Sequence, residues 1–149
     1  MCKSKIIMKL YIGSDHAGFD MKETLKTWMS TEFPSIQIED KGCESVDSCD
    51  YADYAHAVAE NVIGDSRGIL LCGSANGVSI AANKHAGVRA ALCWTEEIAT
   101  LARQHNDANI LSIPARFVSL DVAKAMVSTF FNTPFEGGRH AKRVEKIDL

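Results

Sequence analysis

Apolar positions along the chain follow two rhythms. Short apolar or alternating runs at 6–13, 36–39, 69–71, 88–94 and 109–113 have the length and residue types of strands. Between them, apolar residues return every three to four positions, which predicts helices. The first spans 21–33, with Leu25, Trp28 and Met29 on one side and Lys22, Glu23 and Lys26 elsewhere. Others are predicted over 54–63, from 78 to about 85, from Thr95 to about His105, and over 120–131. Pro34, Gly64, Gly87 and Pro114 end elements, because proline and glycine cannot continue them cheaply. Thr95 is placed to cap the fourth helix, with Glu96 and Glu97 near its positive end. After Pro134 and the pair Gly137-Gly138, residues 139–147 read as a short basic helix.

Strands alternating with helices imply βαβ units. The expected fold is α/β: a five-stranded parallel sheet with helices on both faces. The length fits one domain, 1–149, with 1–5 as a flexible tail and 137–149 as a C-terminal helical arm. Ligands of such sheets bind at the C-terminal strand ends. That rule gathers 14–16, 72–77 and 114–116 on one rim.

Composition narrows the function classes. With 46% hydrophobic and 23% charged residues, the chain is of ordinary globular type. A net charge of -3 argues against nucleic-acid partners and acidic membranes. No run approaches the roughly 20 apolar residues of a membrane span. Lys9 and Asp15 interrupt any signal-type segment near the start. Five irregularly spaced cysteines without C-x-x-C suit free thiols in a reducing cytoplasm.

The candidate chemistry centres on 72–77. Cys72 has two readings: a small buried hydrophobe, or a thiol activated at a strand end facing a helix N-terminus, reactive near neutral pH. The glycines Gly73 and Gly77 serve either a tight turn or a nest of N–H donors for an anion. Asp15 is read as a helix cap, as a carboxylate that with the His16 imidazole meets a polyol, or as both. Cys93 belongs to the core, whereas Cys2, Cys43 and Cys49 fall in a tail and a polar loop without chemical role. His105-Asn106-Asp107 precede the fifth strand and so lie toward the opposite rim, useful only to a partner subunit. Arg139 and Arg143 share a helix face that suits a phosphate, or is simply solvated. The Gly137-Gly138 hinge suggests an arm able to leave its domain. The five histidines show no i,i+4 pairing, so no metal site is expected.

Five segments in order, Asp15-His16-Ala17-Gly18, 72–77, 80–84, 103–109 and Gly137-Gly138-Arg139-His140, resemble the B-type ribose-5-phosphate isomerases, a family shared with galactose-6-phosphate isomerase subunits. The resemblance implies a flavodoxin-like sheet of three-layer Rossmann type and no cofactor. It implies a homodimer, sometimes paired into tetramers, with active sites shared between subunits. It implies interconversion of ribose 5-phosphate and ribulose 5-phosphate in the pentose phosphate pathway. Cys72 would move the proton between C1 and C2, and Ser74 would relay protons between the oxygens. The backbone of Gly73, Ser74, Ala75, Asn76 and Gly77 would hold the enediolate. Asp15 and Tyr51 would hold hydroxyls. His105, aiding ring opening, and Asn106 would come from the partner. His16, Arg116, Arg139 and Arg143 would hold the phosphate.

Two departures stand out. One branch of the family has a Glu base where this chain has Val78, so the thiol branch applies. Ala75 stands where glycine is usual, which narrows the backbone angles of the loop. Three rival readings compete. A cysteine phosphatase needs an arginine six residues after Cys72, where Val78 stands. A non-catalytic sugar-phosphate sensor would keep the arginines without the base. A six-carbon substrate, allose or galactose 6-phosphate, stays open.

Overall fold

The computed structural model describes residues 8–149. Cys2, the 1–5 tail and the first two positions of the 6–13 strand lie outside them. The elements follow in order β1 (Lys9–Ser14), α1 (Phe19–Glu32), β2 (Gln37–Asp40), α2 (Tyr51–Ala59), β3 (Arg67–Cys72), α3 (Asn76–Ala82), β4 (Ala90–Leu92), α4 (Glu96–Asn106), β5 (Ile110–Pro114), α5 (Leu120–Asn132) and α6 (Arg139–Glu145). All five strands are parallel, in the order β2-β1-β3-β5-β4. The expected α/β sheet is present. Its last two strands are exchanged relative to the simple flavodoxin order, so β5 lies inside and β4 at the edge.

Side-chain alternation explains the layers. Ile69 and Leu71 of β3 join Leu10, Ile12, Leu111 and Ile113 in a core closed by α1, α4 and α5. Leu70 and Cys72 point the other way, into a core closed by α2 and α3. Strands buried on both faces need largely apolar runs: β3 has Ile69-Leu70-Leu71, and β5 is apolar except for the buried Ser112. The edge strands do not: β2 is Gln-Ile-Glu-Asp and mostly exposed, and β4 keeps only three residues of the 88–94 run.

Several boundaries differ from expectation for local reasons. α1 starts two residues early, after a 3-10 turn over His16–Gly18 that Asp15 caps by accepting from Gly18 N–H at 3.0 Å. α2 runs from 51 rather than 54 and ends before Gly64. Thr95 caps α4 as expected, accepting from Ile98 N–H at 3.2 Å. No helix among the described residues is long and apolar enough to cross a membrane.

Lys22 departs most from its pattern. Assigned to the polar side of α1, it is wholly buried. Its ammonium donates to both Asp40 oxygens at 2.8 and 2.7 Å and to Cys43 O at 2.8 Å. A buried charge needs such partners, because desolvation is otherwise too costly. Burial works against ionisation of Asp40, but hydrogen bonds from Lys22, Lys26 and the Gly42 N–H outweigh it and hold the carboxyl below its usual range. The stability it contributes is complete above the ordinary carboxylate pKa and is lost as pH falls through the lowered value. Asp40→Asn is therefore expected to flatten the fall of melting temperature below about pH 4. An unchanged slope would remove the pair from the acid response.

Candidate active site

The chain leaves β1 toward β2 on one side and reaches β3 on the other, so a crevice opens between the ends of β1 and β3. Such a switch point is where open α/β sheets bind ligands. Asp15 and His16 follow β1, and Cys72 ends β3. Asp15 N–H donates to Leu71 O at 3.1 Å, which ties the two loops together. The third loop joins from β5: Ala115 N–H donates to Cys72 O at 2.9 Å and Arg116 N–H to Gly73 O at 3.1 Å. A Cβ on Gly73 would lie 3.2 Å from Arg116 Nη1, so the guanidinium rests on that glycine. Tyr51, opening α2, lays its ring over Gly77, where a Cβ would fall 2.4 Å from it. Only glycine admits that ring.

Cys72 is 5% exposed, with its sulfur turned toward the start of α3. Ala75 N–H donates to Cys72 Sγ at 3.1 Å. Burial nevertheless pushes the thiol up, and the Asp15 carboxylate adds to this, while the Val78, Ala75 and Ser74 amides pull it back only in part. This corrects the expectation of a thiol already tuned near neutral pH. Helix N-terminus and amides act as foreseen, but desolvation is larger. The loop itself is more occupied than its glycines suggest. Ser74, exposed, accepts from the Asn76 N–H and side-chain amide at 3.3 Å each. Ala75 N–H faces sulfur rather than an open hole.

Ala75 adopts φ 63° and ψ 2°, a left-handed conformation that costs an alanine what it spares a glycine. Ser79 Oγ donates to its carbonyl at 2.7 Å and helps hold it. Ala75→Gly is expected to raise unfolding free energy by about 0.5–1 kcal/mol. Urea denaturation would read this as a higher midpoint. A lower one would show that the methyl packing outweighs the strain.

The remaining assigned residues sit elsewhere. His105 and Asn106 end α4, before the start of β5, whereas Cys72 pairs with Pro114 at its end. The length of β5, about 13–17 Å, separates them. Arg139 and Arg143 are exposed on α6. Gly137 and Gly138 turn the chain with φ 67° and 54°, and in the single chain the arm lies back against α4. His140 is buried and stacks on His105 at 4.2 Å and 12°, while Glu136 Oε1 is 3.7 Å from His105 Nε2. Burial lowers the His140 pKa, and the neighbouring His105 and Arg139 lower it further, which favours the neutral ring.

His140 and Glu136 were not singled out from the sequence, since only the α4–α6 packing brings them to His105. The donor atoms of these three residues lie within 4.8 Å of one another, a set compatible with a zinc-type ion. The stacking and the His105–Glu136 contact already account for the trio as a clasp of α6 on α4.

This chain belongs to the Ribose/Galactose Isomerase family, which it matches over residues 10–147. Among its relatives is the ribose-5-phosphate isomerase B of Escherichia coli, 43% identical over 141 residues that cover 93% of each protein. Two solved structures are similar over nearly their full lengths. The ribose 5-phosphate isomerase of Thermotoga maritima is 47% identical with a TM-score of 0.89, covering 94% of this chain and 97% of that one. The ribose-5-phosphate isomerase B of Mycoplasma genitalium, solved with bound ribulose-5-phosphate, is 40% identical with a TM-score of 0.90, covering 94% and 93%.

Proposed function

We propose that this chain interconverts ribose 5-phosphate and ribulose 5-phosphate through an enediolate. The observation that carries the reading is the Cys72 sulfur, held by the Ala75 N–H near Asp15 at the sheet's switch point. As a thiolate, Cys72 takes the proton from C2 of the open aldose and returns it to C1. Charge gathers on the substrate oxygens as the proton leaves, and N–H donors at the start of α3 oppose it. Ser74, exposed at the rim, exchanges protons between the two oxygens. Asp15 and Tyr51 hold hydroxyls, and Asn76 frames the loop. His16 and Arg116 receive the phosphate, whose binding energy orients the sugar.

The groups on the far rim enter from a second copy. In a homodimer, one subunit's His105 and Asn106 would face its partner's Cys72 loop. His105 would open the ring, and Arg139 and Arg143 would complete the phosphate site. A reducing cytoplasm suits four cysteines that are all free in the described chain. A turnover assay across ribose, allose and galactose phosphates, with chelator present, tests the reading. No activity on any of them would favour a sensor, and preference for a hexose phosphate would move the substrate assignment.

Replacing both arginines, Arg139→Ala with Arg143→Ala, is expected to raise KM by about 100-fold or more, since two charged hydrogen bonds are lost at roughly 1.5–3 kcal/mol each. kcat should change less. An unchanged KM would remove the phosphate role of the arm.

A further inference from the structure

The loop between β2 and α2 holds two cysteines that the proposed reaction does not use. The sequence places them in a polar loop, but Cys43 is only 3% exposed. Its sulfur lies 3.7 Å from Ser14 Oγ and donates to Ser45 O at 3.3 Å. Cys49 is half-buried, with its sulfur 4.0 Å from His16 Nδ1. The Cys49 backbone N–H donates to the same nitrogen at 3.3 Å. Both thiols therefore close on residues 14–16 at the end of β1, and Cys43 is near enough to Cys49 to raise its pKa. Cys93 is apart, fully buried in the core beneath α1, α4 and α5, and Cys72 belongs to the β3 loop.

We propose that Cys43 and Cys49 form a modification site, oxidised to an intramolecular disulfide by a small disulfide of the glutathione class, and that the new bond draws the Cys49 N–H away from His16. The chemistry balances without a further reactant. The Cys49 thiolate attacks one sulfur of the small disulfide and releases one small thiolate. The Cys43 thiolate then attacks the Cys49 sulfur of the mixed disulfide and displaces the second. The two leaving thiolates take up the two protons given by the cysteines. The protein loses two hydrogens and the small disulfide becomes two thiols. Burial and the neighbouring Cys43 hold the Cys49 thiol above its ordinary pKa, so little thiolate is present at neutral pH and the first attack is slow.

The covalent step stands on the two thiols alone. Its effect on turnover rests on the reading of His16 as a phosphate ligand, so the two need separate readouts. Trypsin cuts after Lys41 and Arg67, and peptide 42–67 contains these two cysteines and no other. The reduced protein is treated with glutathione disulfide, remaining thiols are alkylated, and this peptide is weighed. The expected result is a peptide two hydrogens lighter and unalkylated, together with a KM for ribose 5-phosphate raised about fivefold, the loss of one ordering hydrogen bond. Cys49→Ser should keep its KM through the same treatment. A doubly alkylated peptide, or a glutathione adduct alone, overturns the disulfide. A lighter peptide with unchanged KM overturns the link to His16. Equal loss in Cys49→Ser assigns the effect to Cys72 and overturns it also. A protein without turnover fails the isomerase reading instead, and the peptide mass still decides the disulfide.

Discussion

Cys72→Ala lowers kcat for ribose 5-phosphate isomerisation by about 10²–10⁴-fold, the usual worth of a positioned general base. Substrate binding should survive, because the proposed phosphate ligands His16, Arg116 and the arm arginines are untouched. Isothermal titration with ribulose 5-phosphate should give a dissociation constant within a few-fold of the unaltered protein, while a coupled assay shows the loss. Full turnover by the variant would sink the assignment. The pH profile supplies a second check. A base must be unprotonated to act, and burial raises the Cys72 thiol. The kcat/KM of the unaltered enzyme should therefore climb with pH through a limb lying above the ordinary cysteine value. Cys72→Ala should lack that limb. A limb below the ordinary value would mean that the partner subunit or substrate overturns the desolvation seen in the single chain.

Mixing two inactive proteins should restore activity. Cys72→Ala and His105→Ala each disable both sites of a homodimer built on shared sites. A mixed dimer contains one site that takes Cys72 from one chain and His105 from the other. Random exchange makes half of the dimers mixed, each with one working site, so activity returns to about a quarter of the unaltered level. Sites built within single subunits would stay inactive in any mixture. Denaturing and refolding the variants together, then assaying, separates the two outcomes. The distance argument behind this is simple: within one chain the length of β5 stands between His105 and Cys72.

What the sequence made legible was mostly what one strand and one turn decide locally. The runs at 69–71 and 109–113 marked the two central strands because a strand buried on both faces must be largely apolar. Asp15 and Thr95 marked helix starts because their oxygens satisfy open N–H groups. The rim carrying Asp15, Cys72 and Arg116 followed from strand polarity alone. Features set by contact between distant segments were not legible. Lys22 looked like a surface lysine, since nothing near it in the chain shows that Asp40 and the Cys43 carbonyl will enclose it. Cys43 and Cys49 looked idle because the loop that carries them is polar, and only its folding onto β1 brings them together. The raised Cys72 thiol was missed for a similar reason. Amides near a sulfur can be inferred from a loop, but the depth of burial belongs to the whole domain.

The stack of His140 on His105 bears on how cheaply two copies can join. A hinged arm ordered only at the interface would lose conformational freedom at that moment, at about 0.5–1.5 kcal/mol for each long side chain fixed. Here α6 is already seated on α4 before any partner arrives. His105 and the backbone that carries Arg139 and Arg143 form one preorganised patch, whose ordering is completed during folding of the monomer. Association then has to restrain mainly rigid-body motion and the two guanidinium tips. In the proposed homodimer, a weak clasp inside one subunit would become a saving in entropy.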